Sequence, residues 1–241
     1  MNVDVLLYDG FDELDGIAPY EVFDYALEYA AEGESDAGGE DDASGEDDAD
    51  DEIDAGGSAG RVRYVTLEDR EFVTASHGTR VGVDATLPAA EATDAPDLLI
   101  VPGGGWNARD EEASAWAEAR KGDVPRVLAD YHAAGVPIGS VCTGSMLLAA
   151  AGVTDGRRAI THAGAVEELR ESGATVVDAR VVDDGDLVTA GGVTSGIDLA
   201  LYLVEREFGP TIADRVATVL EHERRGEVAL RSDEIEGVEE Q

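Results

Sequence analysis

The sequence predicts an α/β protein with a doubly wound, mostly parallel sheet, helices on both faces and a small antiparallel hairpin. Short apolar segments alternate with segments of helical length along most of the chain, which is typical of β-α-β units. The segments Asp97–Val101 and Val136–Val141 are largely apolar, as expected for central parallel strands that are covered on both faces. The turn sequence Asp183–Asp186 separates two later strands and indicates the hairpin.

The first elements are a strand over Val3–Tyr8 and a helix that Pro19 begins and that runs to about Tyr29, because proline suits a first helical turn. The composition then changes. Residues 32–60 hold 13 Asp or Glu and no Lys or Arg. Such a segment cannot bury enough apolar surface to offset its ordering entropy, so we predict a disordered acidic insertion. The spacing of a calcium-binding loop is absent from it, and no metal site is predicted.

The remaining elements continue the alternation. Strands are predicted at Arg61–Thr66, Phe72–Val83 (one or two strands around Gly78), Asp97–Val101, Val136–Val141, Arg158–Thr161, Thr175–Val177, Val181–Val182 and Leu187–Ala190. Helices are predicted in a long stretch ending near Ala134, at Thr143–Ala151, Ala163–Ser172 and Ser195–Phe208, and after Pro210. A single domain is therefore expected over residues 1–226, interrupted at 32–60 and followed by an acidic tail at 227–241.

The charge of the chain limits the partners it can bind. Its 54 acidic residues face 17 basic ones, for a net charge of −37, and most of the acidic residues lie outside 32–60. Such a surface does not neutralise nucleic-acid phosphates and is repelled by anionic membranes. No apolar run approaches the length of a membrane span, and Met1–Asp4 does not resemble a signal peptide. We expect a cytoplasmic protein that binds neither nucleic acid nor membranes.

The composition of the basic residues indicates adaptation to high salt concentration. Sixteen of the 17 are arginine, and Lys121 is the only lysine. A carboxylate surface with almost no lysine suits concentrated salt, because salt screens its self-repulsion and carboxylates hold water and cations. An ordinary acidic protein is the alternative. We expect the midpoint of thermal unfolding to rise as KCl increases from dilute to molar concentration, whereas full stability in dilute buffer would contradict the salt adaptation.

Cys142, the only cysteine, lies where an apolar strand ends and a helix begins. Ligands of open α/β sheets bind at the carboxyl ends of strands, and a sharp strand-to-helix turn presents a nucleophile above the sheet. The helix N-terminus is expected to lower the thiol pKa, and its free N–H groups to stabilise an anionic intermediate. We therefore predict a reactive thiol; a buried structural cysteine is the alternative. A lone cysteine excludes an internal disulfide and a multi-cysteine zinc site.

Two further segments supply candidate partners for the thiol. Gly103, Gly104 and Gly105 follow a predicted strand, so their amides are candidates to bind an oxyanion, with a simple tight turn as the alternative. A protonated carboxyl near a cysteine donates a hydrogen bond to the thiolate and moves protons. Asp12, Glu13 and Asp15 all lie just beyond the first strand, and the local sequence does not choose among them.

The histidines offer one more candidate. His162 follows a short strand and precedes a helix, so it is either a general base or orienting partner of Cys142, or a local cap. The other three, His77, His132 and His222, are expected to be structural or exposed.

Together these segments resemble the ThiJ/PfpI superfamily, which has a flavodoxin-like fold related to that of class I glutamine amidotransferases. The resemblance runs from Val3 to about Gly226 without the insertion. It is carried, in chain order, by Leu14-Asp15 with Pro19-Tyr-Glu-Val22, Asp97-Leu-Leu-Ile-Val-Pro-Gly-Gly104, Val141-Cys-Thr-Gly-Ser145, Ala159-Ile-Thr-His162 and Gly191-Gly-Val-Thr-Ser-Gly-Ile-Asp198. Each motif alone is weak, but all of them in this order are specific.

Within that superfamily the chain looks like the isocyanide hydratase-like branch, which carries Asp at the acidic position and Cys-Thr-Gly-Ser at the turn. The resemblance selects Asp15 over Asp12 and Glu13. It implies Cys142 as nucleophile, Asp15 as proton shuttle, and Thr143 as a neighbour that lines the site. It also implies a small-molecule substrate, namely an isocyanide that is hydrated to an N-substituted formamide, as well as a homodimer. We expect no cofactor.

Two departures from the hydratases bear on the substrate. They usually carry Trp at the position of Ala163 and Gly at the position of Ala18. The resemblance therefore leaves two other functions open: a glyoxalase or deglycase activity on reactive carbonyls, in which His162 would matter more, and a non-enzymatic cysteine redox sensor. A glutaminase-type triad is not supported, because His222-Glu223 lies in a charged, helical stretch without a His-Pro-Glu segment.

Overall fold

The computed structural model describes residues 1–36 and 60–231. Its strands are β1 (Asn2–Leu6), β2 (Arg61–Thr66), β3 (Phe72–Thr74), β4 (Arg80–Gly82), β5 (Ala85–Thr86), β6 (Leu98–Val101), β7 (Ile138–Ser140), β8 (Arg158–Ala159), β9 (Thr175–Val176), β10 (Val181–Asp183), β11 (Leu187–Ala190) and β12 (Val228–Ala229). Its helices are α1 (Glu13–Asp36), α2 (Ala115–Lys121), α3 (Asp123–Ala133), α4 (Gly144–Ala150), α5 (Val166–Glu171), α6 (Ser195–Phe208) and α7 (Pro210–Val219), and a 3₁₀ turn precedes α5.

The central sheet confirms the predicted fold class. Within the described residues it has eight strands in the order β12-β10-β11-β7-β6-β1-β2-β5. The pairs are parallel except β10 with β11, which form the predicted antiparallel hairpin. The chain crosses from β1 to β2 in one direction along the sheet and from β6 to β7 in the other, so right-handed crossovers place their helices on opposite faces. Accordingly, α1 packs with α6 and α7, and α2 packs with α3 and α4.

The centre of the sheet positions the site. Every residue of β6 is buried, because β6 lies between β1 and β7 and is covered on both faces. The parallel order brings the carboxyl ends of β1, β6 and β7 to one edge. The segments that follow these strands therefore meet there. They begin at Leu7, Pro102 and Val141.

The first helix differs from the prediction at both ends. It begins at Glu13, six residues before Pro19, and Pro19 lies inside it. Glu13 occupies the first turn, where its negative charge is favoured by the positive end of the helix. This stabilises a start that the proline rule does not anticipate. The helix also continues to Asp36, so residues 32–36 of the predicted disordered insertion are helical, and residues 37–59 lie outside the described residues.

Other boundaries also differ from the prediction. The long helix expected to end near Ala134 is two helices, because Gly122 adopts a left-handed φ of 85° between α2 and α3. The strand predicted from Arg158 pairs with β9 in a separate two-stranded sheet. The predicted tail contributes β12 at Val228–Ala229, which extends the central sheet beside β10. The pair β3 and β4 confirms the strands predicted around Gly78, and no helix in the described residues is long and apolar enough to cross a membrane.

Candidate active site

Cys142 occupies a strained turn between β7 and α4. Its backbone φ is 56°, a left-handed value that few residues other than glycine adopt. Hydrogen bonds from neighbouring segments hold this conformation. The Cys142 N–H donates to the carbonyls of Ala190 (3.1 Å) and Gly191 (2.9 Å), and the Thr161 hydroxyl donates to the Cys142 carbonyl at 2.9 Å. Strain that is maintained from several sides in this way is typical of functional positions.

Gly144 lets the end of β6 approach this turn closely. A Cβ atom on Gly144 would lie 2.1 Å from the carbonyl oxygen of Val101. We expect Gly144→Ala to lower the free energy of unfolding by about 1–3 kcal/mol, the usual cost of overpacking. Urea unfolding measures this effect. Gly82→Ala is the control, because a Cβ atom there meets nothing within 4 Å; equal stability of the two variants would contradict the close packing.

Asp15 reaches the site from the first turn of α1. Its side chain is fully buried, and its Oδ2 accepts a hydrogen bond from the Gly103 N–H at 3.0 Å. Its Oδ1 has no hydrogen-bond partner of normal geometry among the described residues, while the carboxyl interacts with the Cys142 thiol. The structure thus brings Asp15 to the thiol.

The two competing carboxylates have other surroundings. Glu13 accepts hydrogen bonds from the N–H groups of His77 (3.0 Å) and Thr79 (3.3 Å), which lie between β3 and β4. Asp12 is partly exposed, and its negative charge acts on Asp15 from a distance. Of the three carboxylates, Asp15 is the one that is buried against Cys142.

Burial dominates the ionisation of the pair. Loss of water raises the pKa of Asp15 to about 8, with a further contribution from the charge of Asp12. Loss of water also raises the pKa of Cys142 to about 12, and the charge of Asp15 adds to this effect. The backbone N–H groups of Thr143 and Val193 interact with the sulfur and lower its pKa, in the opposite direction.

The predicted low pKa of the thiol is therefore wrong, although the N–H of Thr143, the N-cap of α4, acts in the predicted direction. The Cys142 side chain is 5% exposed, and α4 has seven residues. Desolvation of the anionic sulfur outweighs the field of so short a helix and the two N–H donors. At neutral pH the carboxyl of Asp15 is protonated, as the sequence argument requires of a proton donor, and the thiol is protonated as well.

In the glycine loop after β6 (Gly103–Gly105), two N–H groups already donate hydrogen bonds to side chains of the protein. The Gly103 N–H binds Asp15, and the Gly104 N–H donates to Thr143 Oγ1 at 2.9 Å. An oxyanion would have to displace these partners, so oxyanion binding by Gly103, Gly104 and Gly105 stays a prediction. The N–H donors directed at the sulfur belong to Thr143 and Val193. The Thr143 hydroxyl therefore ties the glycine loop to the turn that carries Cys142.

His162 lies apart from the pair. Its Nδ1 accepts a hydrogen bond from the Gly164 N–H at 3.0 Å and caps the 3₁₀ turn, which is the local role that the sequence left open. Among the described residues it makes no hydrogen bond to Cys142 or Asp15. Its ring lies against Gly192, where a Cβ atom would be 3.2 Å from the His162 Cδ2.

Three contributors to the site were not predicted from the sequence. Val193 supplies an N–H to the sulfur, Thr161 holds the Cys142 carbonyl, and the buried Tyr8 donates its hydroxyl to the Pro102 carbonyl at 2.9 Å. The charges of Asp15 and Cys142 raise the pKa of Tyr8, after burial itself. Tyr8 is the one that sequence reasoning could have found, because it lies at the carboxyl end of the first predicted strand.

Two cavities border these residues. One of about 700 Å³ is lined in part by Thr161, Ala163, Arg180, Gly191 and Gly192. A larger one of about 1490 Å³ is lined by Tyr8 and by residues of α2 and α3, among many others. Cys142 itself lines neither of them in the described part of the chain. Within that same part, no group of three or more His, Cys, Asp or Glu side chains is placed to hold a metal ion.

Comparison with known proteins gives consistent matches. Residues 1–206 match the model of the DJ-1/PfpI family. The chain is 36% identical over 164 residues to an isonitrile hydratase of Pseudomonas putida, covering 66% of this chain and 65% of the hydratase. It is 35% identical over 156 residues to an HTH-type transcriptional regulator of Pseudomonas aeruginosa, covering 64% and 43% of the two chains. The chain thus spans less than two thirds of the length of these two relatives.

A third relative and two solved structures complete the comparison. The chain is 32% identical over 146 residues to a deglycase of Pyrococcus horikoshii, covering 60% of this chain and 79% of the deglycase. A ThiJ/PfpI family protein from Pseudomonas syringae superimposes with a TM-score of 0.70 at 24% identity, over 93% of this chain and 76% of that protein. Schizosaccharomyces pombe DJ-1 superimposes with a TM-score of 0.68 at 19% identity, over 92% and 100% of the two chains. This chain therefore shares the fold of both solved structures.

Proposed function

Since this chain belongs to the DJ-1/PfpI family, we propose that it is a cysteine-dependent hydratase that converts organic isocyanides to N-substituted formamides. The observation that carries the proposal is the buried pair of Cys142 and Asp15, with the N–H groups of Thr143 and Val193 at the sulfur. The match to an isonitrile hydratase supports this choice of substrate.

In the first step, a bond forms between the sulfur of Cys142 and the terminal carbon of the isocyanide. That carbon takes up one proton, which leaves an S-bound thioimidate. Asp15 relays the proton: one carboxyl oxygen gives its proton to the carbon while the other takes the proton of the thiol, so the carboxyl ends the step protonated. The neutral carboxyl at neutral pH suits this role, because a carboxylate would have no proton to give.

In the second step, water adds to the thioimidate carbon and the substrate nitrogen is protonated. The carbon–sulfur bond then breaks, the formamide carbonyl forms, and the hydroxyl proton returns to the sulfur. The sum is one isocyanide and one water to one formamide, with no net change in the protein. The N–H groups of Thr143 and Val193 stabilise the negative charge that develops on the sulfur as it leaves.

The 700 Å³ cavity suggests how the site accommodates the substituent of the isocyanide. It borders Thr161 and Gly191, both of which hydrogen-bond the backbone of Cys142. Ala163, which stands where the resembling hydratases usually carry Trp, also lines this cavity. We propose that the small side chain leaves room for a bulky substituent.

The direct test uses the full chain with an organic isocyanide, in dilute buffer and in molar KCl. Formation of the matching N-substituted formamide, followed by NMR spectroscopy, is the expected result. Absence of formamide under both conditions, with the folded protein present in excess, would reject the hydratase activity.

A deglycase or glyoxalase activity is the second candidate, and the 32% identity to a deglycase favours it. His162→Ala separates the two candidates. We expect isocyanide hydration to change far less than the roughly 100-fold that loss of a general acid or base costs, because His162 is bound to Gly164 and not to the pair. Rates on methylglyoxal and on an isocyanide are compared in the same preparation. A large loss on both substrates would contradict the local role of His162.

The non-enzymatic redox sensor is less well supported. Oxidation to sulfenic acid needs an exposed thiol of low pKa. The Cys142 side chain is 5% exposed, and its thiol pKa is raised to about 12. Both features favour a site in which the thiol ionises as substrate reacts.

Three further properties are part of the proposal. We propose a homodimer and a cytoplasmic location, as the family resemblance and the charge imply. Adaptation to concentrated salt is proposed from the net charge of −37 and the single lysine.

A further inference from the structure

The loop Gly191–Thr194, between β11 and α6, holds Cys142 from one side. The Gly191 carbonyl accepts a hydrogen bond from the Cys142 N–H at 2.9 Å. The Val193 N–H interacts with the sulfur and favours its anionic form. The position of this loop therefore affects both the backbone of Cys142 and the stability of its anionic form.

Arg180 contacts both ends of this loop. Its carbonyl accepts a hydrogen bond from the Gly191 N–H at 3.0 Å, and its Nη2 donates to Thr194 Oγ1 at 3.1 Å. Its Nε donates to Asp198 Oδ2 at 2.5 Å. One side chain thus links the end of the loop to the first turn of α6.

Asp198 anchors this arginine in turn. Its side chain is 6% exposed. Its Oδ1 is hydrogen-bonded to His222 Nε2 and accepts a bond from the Arg225 N–H, both at 3.0 Å. Because the carboxylate is fixed by the chain that follows α7, the guanidinium of Arg180 has a defined position against the loop.

The start of α6 also holds the loop, because the carbonyls of Gly192 and Val193 accept hydrogen bonds from the N–H groups of Ser195 (2.8 Å) and Gly196 (3.2 Å). Its other side faces a cavity. Gly191, Gly192 and Arg180 all line the 700 Å³ cavity. A loop that borders a cavity has room to move, and its two glycines offer no side chain to pack. The bond from Arg180 to Thr194 comes from a side chain, so a substitution removes it while the backbone bonds of the loop remain.

We propose that Arg180 is a positioning residue that holds the Val193 N–H at the sulfur of Cys142. The inference rests on Cys142 being the reactive group of the proposed function, and it is independent of the substrate. Without the guanidinium, Thr194 and Asp198 lose their common donor, and the loop shifts toward the cavity as far as its backbone hydrogen bonds to α6 and Cys142 allow. The sulfur then loses an N–H that stabilises its anionic form.

The test measures ionisation of Cys142 from the pH dependence of its alkylation by iodoacetamide. The label reports on one residue, because the chain has a single cysteine. In Arg180→Gln we expect the profile to move up by about 1 pH unit, the size that loss of one hydrogen bond to a charged group produces. Below the midpoint this means about tenfold slower labelling at each pH, which is the quantity compared between variants. Asp15 and Tyr8, the titratable groups that interact with the thiol, are unchanged in this variant.

Arg157→Gln is the matched control. The Arg157 side chain is 20% exposed against 23% for Arg180. It also binds a largely buried carboxylate, since its Nε donates to Asp184 Oδ2 at 2.5 Å. Its partners Asp184 and Asp186 lie at the β10–β11 turn, at the opposite end of β11 from the loop, so we expect the wild-type profile. An equal shift in Arg157→Gln would overturn the proposal, because the effect would then reflect general loosening.

Two more variants make the result decisive. Arg180→Lys, which keeps the charge but cannot reach Thr194 and Asp198 with the same geometry, is expected to restore part of the shift. Thr194→Val removes the hydroxyl that accepts a hydrogen bond from Arg180, and is expected to shift the profile in the same direction but by less than Arg180→Gln. This variant decides the question if Arg180→Gln does not fold. A wild-type profile in folded Arg180→Gln or, failing that, in Thr194→Val overturns the proposal. Labelling needs no turnover, so the result stands apart from the test of hydratase activity.

Discussion

Cys142→Ala is expected to abolish the conversion of isocyanide to formamide, with kcat lowered on the order of 10⁴-fold. The reaction proceeds through a sulfur–carbon bond, and no other cysteine is present to form it. Formamide production by equal amounts of the two proteins measures the loss. Alanine at this position must adopt the left-handed φ of 56° that Cys142 already occupies. Circular dichroism is therefore used to check that the variant is folded.

Cys142→Ser provides the matched control for this variant. It keeps a nucleophilic atom at the same place, but a hydroxyl ionises far less readily than a thiol, so we expect nearly complete loss as well. Activity that survives in Cys142→Ala would eliminate the covalent route and leave the buried pair without its proposed role.

Asp15→Asn is expected to change turnover and thiol reactivity in opposite directions. Turnover falls about 10²- to 10⁴-fold, because the amide cannot relay a proton. Alkylation of Cys142 above pH 8 becomes faster, because the negative charge that raises the thiol pKa is gone. Formamide assays and iodoacetamide labelling of the same preparation measure the two effects. Parallel losses in both assays would mean that Asp15 merely supports the fold.

The same variant is expected to alter the pH dependence of stability. The pKa of Asp15 is raised from 3.8 to about 8 in the folded protein. Between these values the folded state holds a proton that the unfolded state has released, so the contribution of Asp15 is fully present below about pH 4 and is lost as pH rises to about 8. The loss amounts to about 1.4 kcal/mol per pH unit within that window.

Asparagine at position 15 lacks this titration. The stability of Asp15→Asn relative to wild type is therefore expected to increase from pH 4.5 to pH 8, and urea unfolding of both proteins at the two pH values measures it. Asp130→Asn is the control, because Asp130 is exposed and its charge does not act on Asp15. A constant difference between Asp15→Asn and wild type would show that the carboxyl is ionised in the folded protein at both pH values.

The position of the site could be predicted because it follows from strand order. Cys142 and Gly103 come directly after buried parallel strands, and such strand ends meet at one edge of a sheet. The choice of Asp15 needed the family resemblance, because burial separates it from Asp12 and Glu13 and local composition does not show burial.

The ionisation of the site could not be predicted in the same way. The helix N-terminus favours an anionic sulfur, whereas burial disfavours it, and the balance depends on an exposure that the residue pattern does not reveal. The donor role of Val193 was missed for a similar reason. A backbone N–H is present at every non-proline residue of the loop, and only the conformation shows which one faces the sulfur.

The predicted ends of helices and strands were wrong where tertiary contacts determine them. Pro19 is a good start signal, yet α1 begins at Glu13, where its first turn packs at the site. Val228–Ala229 forms β12 because β10 offers a free edge in the sheet. Neither contact is visible in the local sequence, since both involve residues distant along the chain.

The most direct test of the account is the intact mass of the protein during reaction with an isocyanide. Addition of the thiol to the isocyanide predicts a transient species heavier by the full mass of one isocyanide, located on Cys142 and absent from Cys142→Ala. The opposite result would be formamide that accumulates while Cys142 never carries this added mass, even when the reaction is quenched with acid at the shortest mixing times. That result would contradict a covalent intermediate on Cys142.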